Sequence, residues 1–486
     1  MPYIIGADIG TTNVKAVAFS MEGTILYIHS EEYPMYHPRA DWSEQDPDEI
    51  LRAVEKCIRT VTIQCHKHGE VAVLSFSAAM HSLIALNGEG EPLSPSMIWA
   101  DNRSAAIAEA LRKTEDGKRI YHNNGTPIHA MAPVCKLLWL RENNPELFAA
   151  AARFVGIKEY VLFKLTGKYL VDYSIASATG LFNIRELAWD SFTLNYIGLS
   201  PGRLSEAVSP YHKEYLAAGN SLGLSPETAI VLGGSDGCLA NLGSGATIPG
   251  EMAVTIGTSG AVRICTHTAY TDAEMRTFCY LLDERTYVVG GATNNGAVIF
   301  QWLKDTFFQN ESYGALFTKA SEIEVGADGL LLLPFLLGER APLWNSAVRG
   351  GFVGMDIHHT APHFVRAAME GILLNMFTIG RVVMENQPIH TIYGSGGFAK
   401  DDTWVQMLAD VFGIPVHLND TVETSSVGAA LIGLKALGLL DNLDDPNEFT
   451  SVGKEFEPDR EKHRAYGEVY SKFAQWAQLM DKQSSN

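Results

Sequence analysis

Long apolar runs are missing from this sequence of 486 residues. The longest, residues 330–337, is interrupted by Pro334 and is much shorter than the roughly 20 residues that span a bilayer as a helix. The chain starts Met1-Pro2-Tyr3 and lacks the basic segment of a secretory signal. We therefore expect a cytoplasmic protein without a membrane anchor.

Positive charge is also scarce, since 37 Lys and Arg residues against 56 Asp and Glu residues give a formal net charge of −19. Such a surface repels nucleic acid and anionic membranes, so neither is expected as a partner. A nucleotide is an anion too, and a site for it would need local positive potential from backbone N–H groups, helix N-termini, Lys or Mg²⁺. Glycine-rich loops are the expected place for such a site.

Several signature motifs are absent as well. The sequence has no G-x-x-x-x-G-K-[ST] loop, no H-R-D catalytic loop and no H-E-x-x-H pair, which disfavours P-loop enzymes, protein kinases and zinc hydrolases. Its six cysteines form no C-x-x-C pair and lie in apolar segments. This pattern indicates reduced, buried thiols rather than disulfides or a zinc site.

Apolar strand-like segments alternate with helical patterns along the chain, which is typical of an α/β fold. One helix is predicted after Asp46-Pro47, where a capping residue precedes a proline and Ile50, Val54, Ile58 and Val61 follow at helical spacing. The length is too great for one ordinary core. Two domains are therefore expected.

A short segment is repeated about half a chain apart. Residues 9–14 read Ile-Gly-Thr-Thr-Asn-Val, and residues 256–261 read Ile-Gly-Thr-Ser-Gly-Ala. Each copy follows an apolar run, so each is predicted to form the turn of a β-hairpin. The chain is thus expected to consist of two related halves, residues 1–244 and 245–486, with the seam in the glycine-rich stretch 233–250.

The first of these turns has chemistry that suits a phosphate group. Small residues let phosphates approach backbone N–H groups, the hydroxyls of Thr11 and Thr12 can donate to phosphate oxygens, and Asp8 could hold Mg²⁺. The alternative is an ordinary Gly-Thr hairpin with an aspartate at its edge. The second turn offers the same donors without a carboxylate.

Two further glycine clusters follow apolar strands. In Ser235-Asp236-Gly237 an aspartate at a strand end could accept the proton of an attacking hydroxyl, or it could merely form an Asx turn. At residues 392–399, consecutive glycines could seat a flat adenine ring, although a close crossing of strand and helix would explain them equally well.

Taken in order, residues 8–15, 235–237, 255–261 and 394–415 resemble the motifs of the FGGY carbohydrate kinases. The resemblance spans nearly the whole chain. It implies an α/β protein of two actin-like, ribonuclease-H-like ATPase domains around a central cleft, with sugar binding and the first phosphate motif in residues 1–244 and nucleotide binding in residues 245–486. It also implies ATP and Mg²⁺ as cofactors.

The resemblance further implies a role for individual residues. Asp236 would be the catalytic base, and Asp8 would be a catalytic carboxylate that also binds Mg²⁺. The residues implied to contact the nucleotide are Thr11, Thr12, Asn13, Lys15, Gly257, Thr258, Gln301, Gly396 and Gly397.

Residues 80–83, 99–104 and 125–133 resemble most closely the family members that phosphorylate gluconate. The implied substrate residues are Met80, His81, Trp99, Asp101, Arg103, His129 and Asp236. A gluconate carboxylate needs a cationic or donor-rich partner, and the candidates are His81, Arg103, His129 and Lys136. For each of these the alternative is an ordinary ion pair or a core histidine.

The expected reaction transfers the γ-phosphate of ATP to a terminal hydroxyl of D-gluconate and gives 6-phospho-D-gluconate. One alternative is a xylulose kinase or another pentose or polyol kinase of the same family. An alternative of another class is an actin-like or chaperone-like ATPase, which would share the paired phosphate hairpins but has no reason to carry sugar-pocket segments. The expected partner is a small sugar or sugar acid, and a homodimer is the assembly considered.

Overall fold

The computed structural model describes residues 1–419, 423–444, 449 and 452–484. The chain forms two compact units. The first contains residues 1–247 together with two later stretches, residues 266–288 and 423–450, and the second contains the remaining residues.

The strands, in chain order, are β1 Tyr3–Ile9, β2 Asn13–Ser20, β3 Ile25–Glu32, β4 Glu44–Gln45, β5 Val71–Ala78, β6 Ile84–Leu86, β7 Ser96–Met97, β8 Arg153–Val155, β9 Leu170–Asp172, β10 Phe182–Asn183, β11 Ala188–Trp189, β12 Glu206–Val208, β13 Lys213–Glu214, β14 Ala229–Ser235, β15 Glu251–Ile256, β16 Gly260–Thr266, β17 Phe278–Leu281, β18 Tyr287–Thr293, β19 Leu331–Leu333, β20 Gly351–Val353, β21 Thr391–Ser395, β22 Val416–Asn419 and β23 Val452–Phe456.

The α-helices, in chain order, are α1 Pro47–Cys65, α2 Ala105–Arg112, α3 Glu115–Asn124, α4 Pro133–Asn143, α5 Pro145–Ala150, α6 Ile157–Thr166, α7 Tyr173–Ser177, α8 Ser191–Ile197, α9 Asp236–Gly243, α10 Ala297–Phe307, α11 Tyr313–Ser321, α12 Ala361–Met384, α13 Asp402–Phe412, α14 Thr424–Ala436 and α15 Arg460–Ser484.

The first unit is built on a sheet with strand order β13-β14-β5-β1-β2-β3. Strands β1, β2 and β3 form an antiparallel meander, whereas β1 pairs in parallel with β5, and β5 with β14. Because β1, β5 and β14 run in the same direction, their carboxyl ends meet at one edge of the sheet. In open α/β sheets this edge is where ligands bind.

The second unit repeats this arrangement, with strands in the order β18-β16-β15-β21-β22-β23. The β15–β16 pair is antiparallel, and β15, β21 and β22 run parallel to one another. The two copies of the sequence repeat are the turns of the β1–β2 and β15–β16 hairpins, as predicted. Two α/β domains with mixed sheets confirm the predicted fold class.

Helix α1 forms where the sequence pattern places it. The Asp46 carboxylate caps the helix by accepting from the amides of Asp48 and Glu49, and Pro47 occupies the first turn. Ile50, Val54 and the other apolar residues of the predicted stripe are buried against the first sheet. Local capping and one apolar face therefore fix this element from sequence alone.

Helix α14 belongs to the first unit although it comes late in the chain. It packs on β1, β5 and α9, and small residues make that packing close. A Cβ atom on Gly6 would lie 2.2 Å from the Ser426 carbonyl oxygen, and one on Gly428 would lie 2.1 Å from that of Leu239. The helix therefore completes the core beneath the first hairpin.

Among the described helices, α12 alone has the length and apolar composition to cross a membrane. Its apolar stretch is 78% buried within the protein, which is the pattern of a core helix. All six cysteines are buried, as the sequence pattern predicts, and none of them forms a disulfide.

Candidate active site

The turn between β1 and β2 is fixed by three side chains from elsewhere in the first unit. The Tyr33 hydroxyl donates to the Gly10 carbonyl over 2.6 Å, and the Gln45 amide donates to the Thr11 carbonyl over 2.6 Å. The Trp99 indole N–H donates to the Thr11 hydroxyl oxygen over 2.9 Å. With its carbonyls and one hydroxyl already bound, the turn has a fixed shape, as a phosphate-binding loop requires.

Asp8 lies at the carboxyl end of β1 and is paired across the hairpin with Lys15. Its carboxylate accepts from the Ser77 hydroxyl over 2.6 Å, and the Lys15 ammonium lies 2.7 Å from the Glu423 carboxylate. Burial raises the pKa of Asp8, while the Ser77 hydrogen bond and the Lys15 charge act in the opposite direction. The site thus contains a carboxylate whose charge depends on nearby donors or cations.

Asp236 is the first residue of α9, directly after β14. One of its carboxylate oxygens accepts from the Gly237 amide over 2.7 Å, and the Ser235 side chain caps the helix. Ser77 of β5 is in register with both Asp8 and Gly234. At a strand spacing of about 4.8 Å, the ends of β1 and β14 are roughly 10 Å apart, so Asp8 and Asp236 face the same edge of the sheet.

Met80 and His81 follow β5 at this edge. His81 has a left-handed backbone, with φ of 70°, which is uncommon for a residue other than glycine. Its ring Nε2 lies 3.1 Å from the Tyr280 hydroxyl. The uncommon backbone and the fixed ring are typical of residues held in place for a function.

Lys136 lies directly behind this segment and is fully buried. Its ammonium donates to the carbonyls of His81, Met97 and Ile98 over 2.6, 3.1 and 2.7 Å. An ammonium has three donors, so none remains for a substrate carboxylate. Burial lowers the pKa of Lys136 to about 7. Lys136 therefore joins the segments that carry His81 and Trp99.

Arg103 and Asp101 form a buried ion pair. The guanidinium donates to both oxygens of Asp101 over 2.8 Å each, and it also bonds Glu44. The guanidinium carbon lies 3.7 Å from the centre of the Trp42 ring, a cation–π contact. The fully buried Asp101 carboxylate also accepts from the Ser43 amide over 2.8 Å. Arg103 is thus held by two carboxylates of the protein itself.

His129 is the remaining predicted substrate residue and is only partly buried. Its ring Nδ1 accepts from the Met131 amide over 3.2 Å. In the neutral ring the proton therefore lies on Nε2, which makes that nitrogen a donor.

In the second unit, the turn between β15 and β16 lies against the start of α10. The Ala297 amide donates to the Gly257 carbonyl over 2.7 Å, and the Val298 amide donates to the Thr258 carbonyl over 3.3 Å. A Cβ atom on Gly296 would lie 2.5 Å from the Ser259 carbonyl, so a side chain would not fit there. Gln301, one turn further along α10, is exposed.

The glycine loop after β21 joins this turn. The hydroxyls of Ser395 and Thr255 are 3.0 Å apart, and a Cβ atom on Gly396 would lie 2.5 Å from the Ile256 carbonyl. Gly396 has a φ of 102°, whereas Gly397 has open space where a side chain would be. Gly396 thus packs closely against the neighbouring strand β15, not against a helix as the predicted alternative has it. The contact of Gly397 with adenine stays a prediction.

The hairpin turns, Asp8 and Asp236 in the first unit and the Gly396 loop in the second therefore lie at the carboxyl ends of parallel strands, whereas no contact of His129 or Gln301 places either residue there. The sequence pattern contains no sign of Ser77, Gln45 or Tyr33 as supports of the first hairpin. Each lies in a different segment, and only the folded chain brings them to the turn.

No cluster of three or more His, Cys, Asp or Glu side chains suited to a metal occurs among the described residues. Mg²⁺ commonly keeps several waters and binds one or two carboxylates plus substrate phosphates. Asp8, a carboxylate beside a turn with phosphate-binding chemistry, fits that mode of binding.

Two related α/β domains, each with a glycine-threonine hairpin at the carboxyl ends of parallel strands, define a class of actin-like nucleotide-binding proteins that includes both sugar kinases and actin-like ATPases. Family models identify the family: residues 3–243 match the N-terminal domain of the FGGY family of carbohydrate kinases, and residues 252–437 match its C-terminal domain.

Relatives agree with this assignment. The chain is 39% identical to a gluconokinase of Bacillus licheniformis, over 99% of this chain and 96% of that one. The crystal structure of gluconate kinase from Lactobacillus acidophilus is 32% identical, with a TM-score of 0.96 over 99% of this chain and 98% of the other. A ligand-bound xylulose kinase from the same organism is also 32% identical, with a TM-score of 0.95 over the same shares.

The chain belongs to the FGGY family of carbohydrate kinases. It is an ATP-dependent sugar kinase that acts on small-molecule sugars.

Proposed function

We propose that this kinase phosphorylates a terminal hydroxyl of D-gluconate to give 6-phospho-D-gluconate. The observation that carries the proposal is the 39% identity to a gluconokinase over 99% of the chain. The three pocket segments of residues 80–83, 99–104 and 125–133 support it. Xylulose is the second candidate, because the solved xylulose kinase and gluconate kinase structures are equally identical to this chain, at 32%.

In the proposed mechanism Asp236 accepts the proton of the sugar hydroxyl while that oxygen attacks the γ-phosphorus of ATP, and the bond from this phosphorus to the bridging oxygen breaks to release ADP. Its position at a helix start after a parallel strand supports this role. Asp8 would hold Mg²⁺, which neutralises charge on the phosphate oxygens when it is bound.

The nucleotide residues are proposed in two groups. In the first unit, Thr11, Thr12, Asn13 and Lys15 belong to the β1–β2 hairpin and would bind phosphate oxygens through N–H, O–H and ammonium donors. In the second unit, the proposed contacts of the phosphates and the adenine are Gly257, Thr258, Gln301, Gly396 and Gly397.

The proposed substrate residues are Met80, His81, Trp99, Asp101, Arg103 and His129. Of the four candidates for the gluconate carboxylate, the buried Lys136 and Arg103 already bond protein groups. His81 also has a protein partner, since its Nε2 lies 3.1 Å from the Tyr280 hydroxyl, so existing partners do not rank the candidates. His129 is partly exposed, whereas His81 and Lys136 are buried, and this exposure supports His129 as the carboxylate partner.

A coupled assay against gluconate, xylulose, ribulose, glycerol and related polyols tests the substrate. Gluconate is expected to have the highest kcat/KM, and a higher value for xylulose would favour the second candidate. Replacing Asp236 by Asn is expected to abolish turnover and leave ATP binding measurable, whereas near-normal turnover would exclude Asp236 as the base. A cytoplasmic location and a homodimer remain predictions.

A further inference from the structure

The strand that carries Asp236 ends in an irregular segment. The pairing of β14 with β5 shifts register between Val231 and Gly234. Gly233 has a φ of 69°, and a Cβ atom on it would lie 1.8 Å from the Phe76 carbonyl oxygen. No side chain fits there, so the segment needs glycine, and the regular ladder is interrupted just before Asp236.

The carbonyls on either side of Gly233 are bound by a lysine. Lys158 of α6 donates from its ammonium to the Leu232 and Gly234 carbonyls, over 2.9 Å each. The same ammonium lies 2.6 Å from the Asp172 carboxylate. The ammonium is therefore held by two hydrogen bonds and one ion pair. Lys158 thus replaces the strand pairing that the irregular segment lacks.

Asp172 and its neighbours fix this lysine and the following serine. The side chains of Lys158 and Asp172 are 1% and 0% exposed, and Asp172 also caps α7 by accepting from the Ile175 amide over 2.9 Å. Ser174 of α7 accepts from the Ser235 amide over 3.1 Å, and its hydroxyl bonds that of Ser235 over 2.9 Å. The residue before Asp236 is therefore bound on its backbone and on its side chain.

A buried ion pair is not by itself evidence of a stabilising role, because the cost of removing two charges from water often offsets their attraction. Lys158, however, does more than form a buried ion pair. Its ammonium bonds the two carbonyls that flank the irregular glycine, and its charge attracts the carboxylate of Asp236. Two observations, one geometric and one electrostatic, connect it with the same aspartate.

We propose that Lys158, held by Asp172, is the positioning residue for Asp236: it fixes the irregular end of β14 and so sets where the Asp236 carboxylate meets the sugar hydroxyl. The inference rests on the proposed role of Asp236 as the base. A displacement of about 1 Å at a reacting group can lower the rate by about 100-fold, so the loss of Lys158 should affect kcat.

The test is a double-mutant cycle in the full-length enzyme with Lys158→Met, Asp236→Asn and the combination. The Lys158→Met enzyme is expected to lose about 10- to 100-fold in kcat with the KM for ATP unchanged. Gluconate binding is measured by calorimetry. We expect Lys158→Met to bind gluconate more weakly than the native enzyme, and the double variant to bind it as well as Asp236→Asn alone. Lys164→Met, an exposed position on the same helix, is the matched control.

A kcat of Lys158→Met within about twofold of the native value, or equal weakening of gluconate binding in both backgrounds, would overturn the proposal. If Lys158→Met does not fold, Asp172→Asn takes its place, because it removes the charge that holds Lys158 and keeps the size of the side chain. The same loss of kcat and the same non-additivity are expected for it, and their absence rejects the idea.

Failure of the proposed kinase mechanism would give a different result from failure of the positioning role of Lys158. An Asp236→Asn enzyme with normal turnover would exclude Asp236 as the base whatever Lys158 does. If gluconate is not a substrate, the cycle is run with the best sugar of the panel. An inactive Asp236→Asn enzyme together with a normal Lys158→Met enzyme rejects only the positioning role.

Discussion

The ring Nε2 of His81 lies 3.1 Å from the hydroxyl oxygen of Tyr280, although the two residues are 199 positions apart in the chain. Tyr280 is buried and its ring stacks on Phe278 at 4.5 Å between centroids. A strand from the second half of the sequence thus orients a proposed substrate residue of the first unit.

Replacing Tyr280 by Phe removes the hydroxyl and keeps the ring. We expect the KM for the sugar to rise about five- to tenfold, because one hydrogen bond of about 1 kcal/mol no longer orients His81. The KM for ATP should not change. Tyr287→Phe removes a hydroxyl that bonds the Ile184 carbonyl over 3.2 Å and is the control. Equal sugar KM values for the two variants would contradict the role of Tyr280.

Lys136 should make the stability of the protein depend on pH. Burial lowers its pKa from 10.5 to about 7, so between pH 7 and 10.5 the unfolded chain binds more protons than the folded one. The free energy of unfolding of the native protein should therefore rise with pH relative to Lys136→Met, by at most about 1.4 kcal/mol per unit. Denaturant unfolding at pH 7.0, 7.75 and 8.5 measures this difference. Parallel curves for the two proteins would show that the lysine stays charged.

The exposed Lys56, whose side chain is 68% exposed, provides the matched control for that measurement. Lys56→Met should follow the native curve at all three pH values. A change shared by both variants would indicate a general effect of net charge.

Removing Arg103 should destabilise the fold strongly. Asp101 and Glu44 are buried around its guanidinium, and breaking such a cluster leaves carboxylates without a partner, at a cost of about 3–5 kcal/mol. Arg103→Met is expected to show this loss in urea unfolding. Lys113→Met breaks the ion pair of Lys113 with Glu109, whose side chains are 72% and 69% exposed. This change should lower the free energy of unfolding by less than about 1 kcal/mol. Similar costs for the two variants would mean that Arg103 is not needed for folding.

Gly396 and Gly397 should respond differently to the same added methyl group. Gly396→Ala is strained by a φ of 102° and by the Ile256 carbonyl 2.5 Å away, so the second unit should lose more than about 1 kcal/mol of stability. Gly397→Ala meets open space and should stay within about 0.5 kcal/mol of the native protein. Its methyl would occupy the proposed adenine face, and the KM for ATP should rise. An unchanged KM would remove Gly397 from the nucleotide site.

Local patterns predicted a large part of this structure. The cap at Asp46, the stripe of α1 and the two hairpin turns depend on residues close together in sequence, and all were found where expected. The repeated hairpin also predicted the repeated domain, because the same strand order follows each copy.

Local sequence patterns could not predict the contacts between segments that are far apart in the chain. No sequence feature distinguishes Lys136 and Lys158 from the other lysines. Their roles depend on which backbone carbonyls surround them after folding. The Arg103–Asp101 pair shows the same limit, since its spacing of two residues does not reveal that Glu44 and Trp42 enclose it. The roles of the site residues in catalysis remain predictions.

Helix α14 has a consequence for how the protein is made. It supplies the packing partner of Gly6 and of α9, yet it is Thr424–Ala436 of a chain of 486 residues. While the ribosome is still adding residues before that helix, the first sheet exposes an apolar face that has no cover. We therefore expect the core of the first unit to be completed only late in synthesis, after Thr424–Ala436 has left the ribosome.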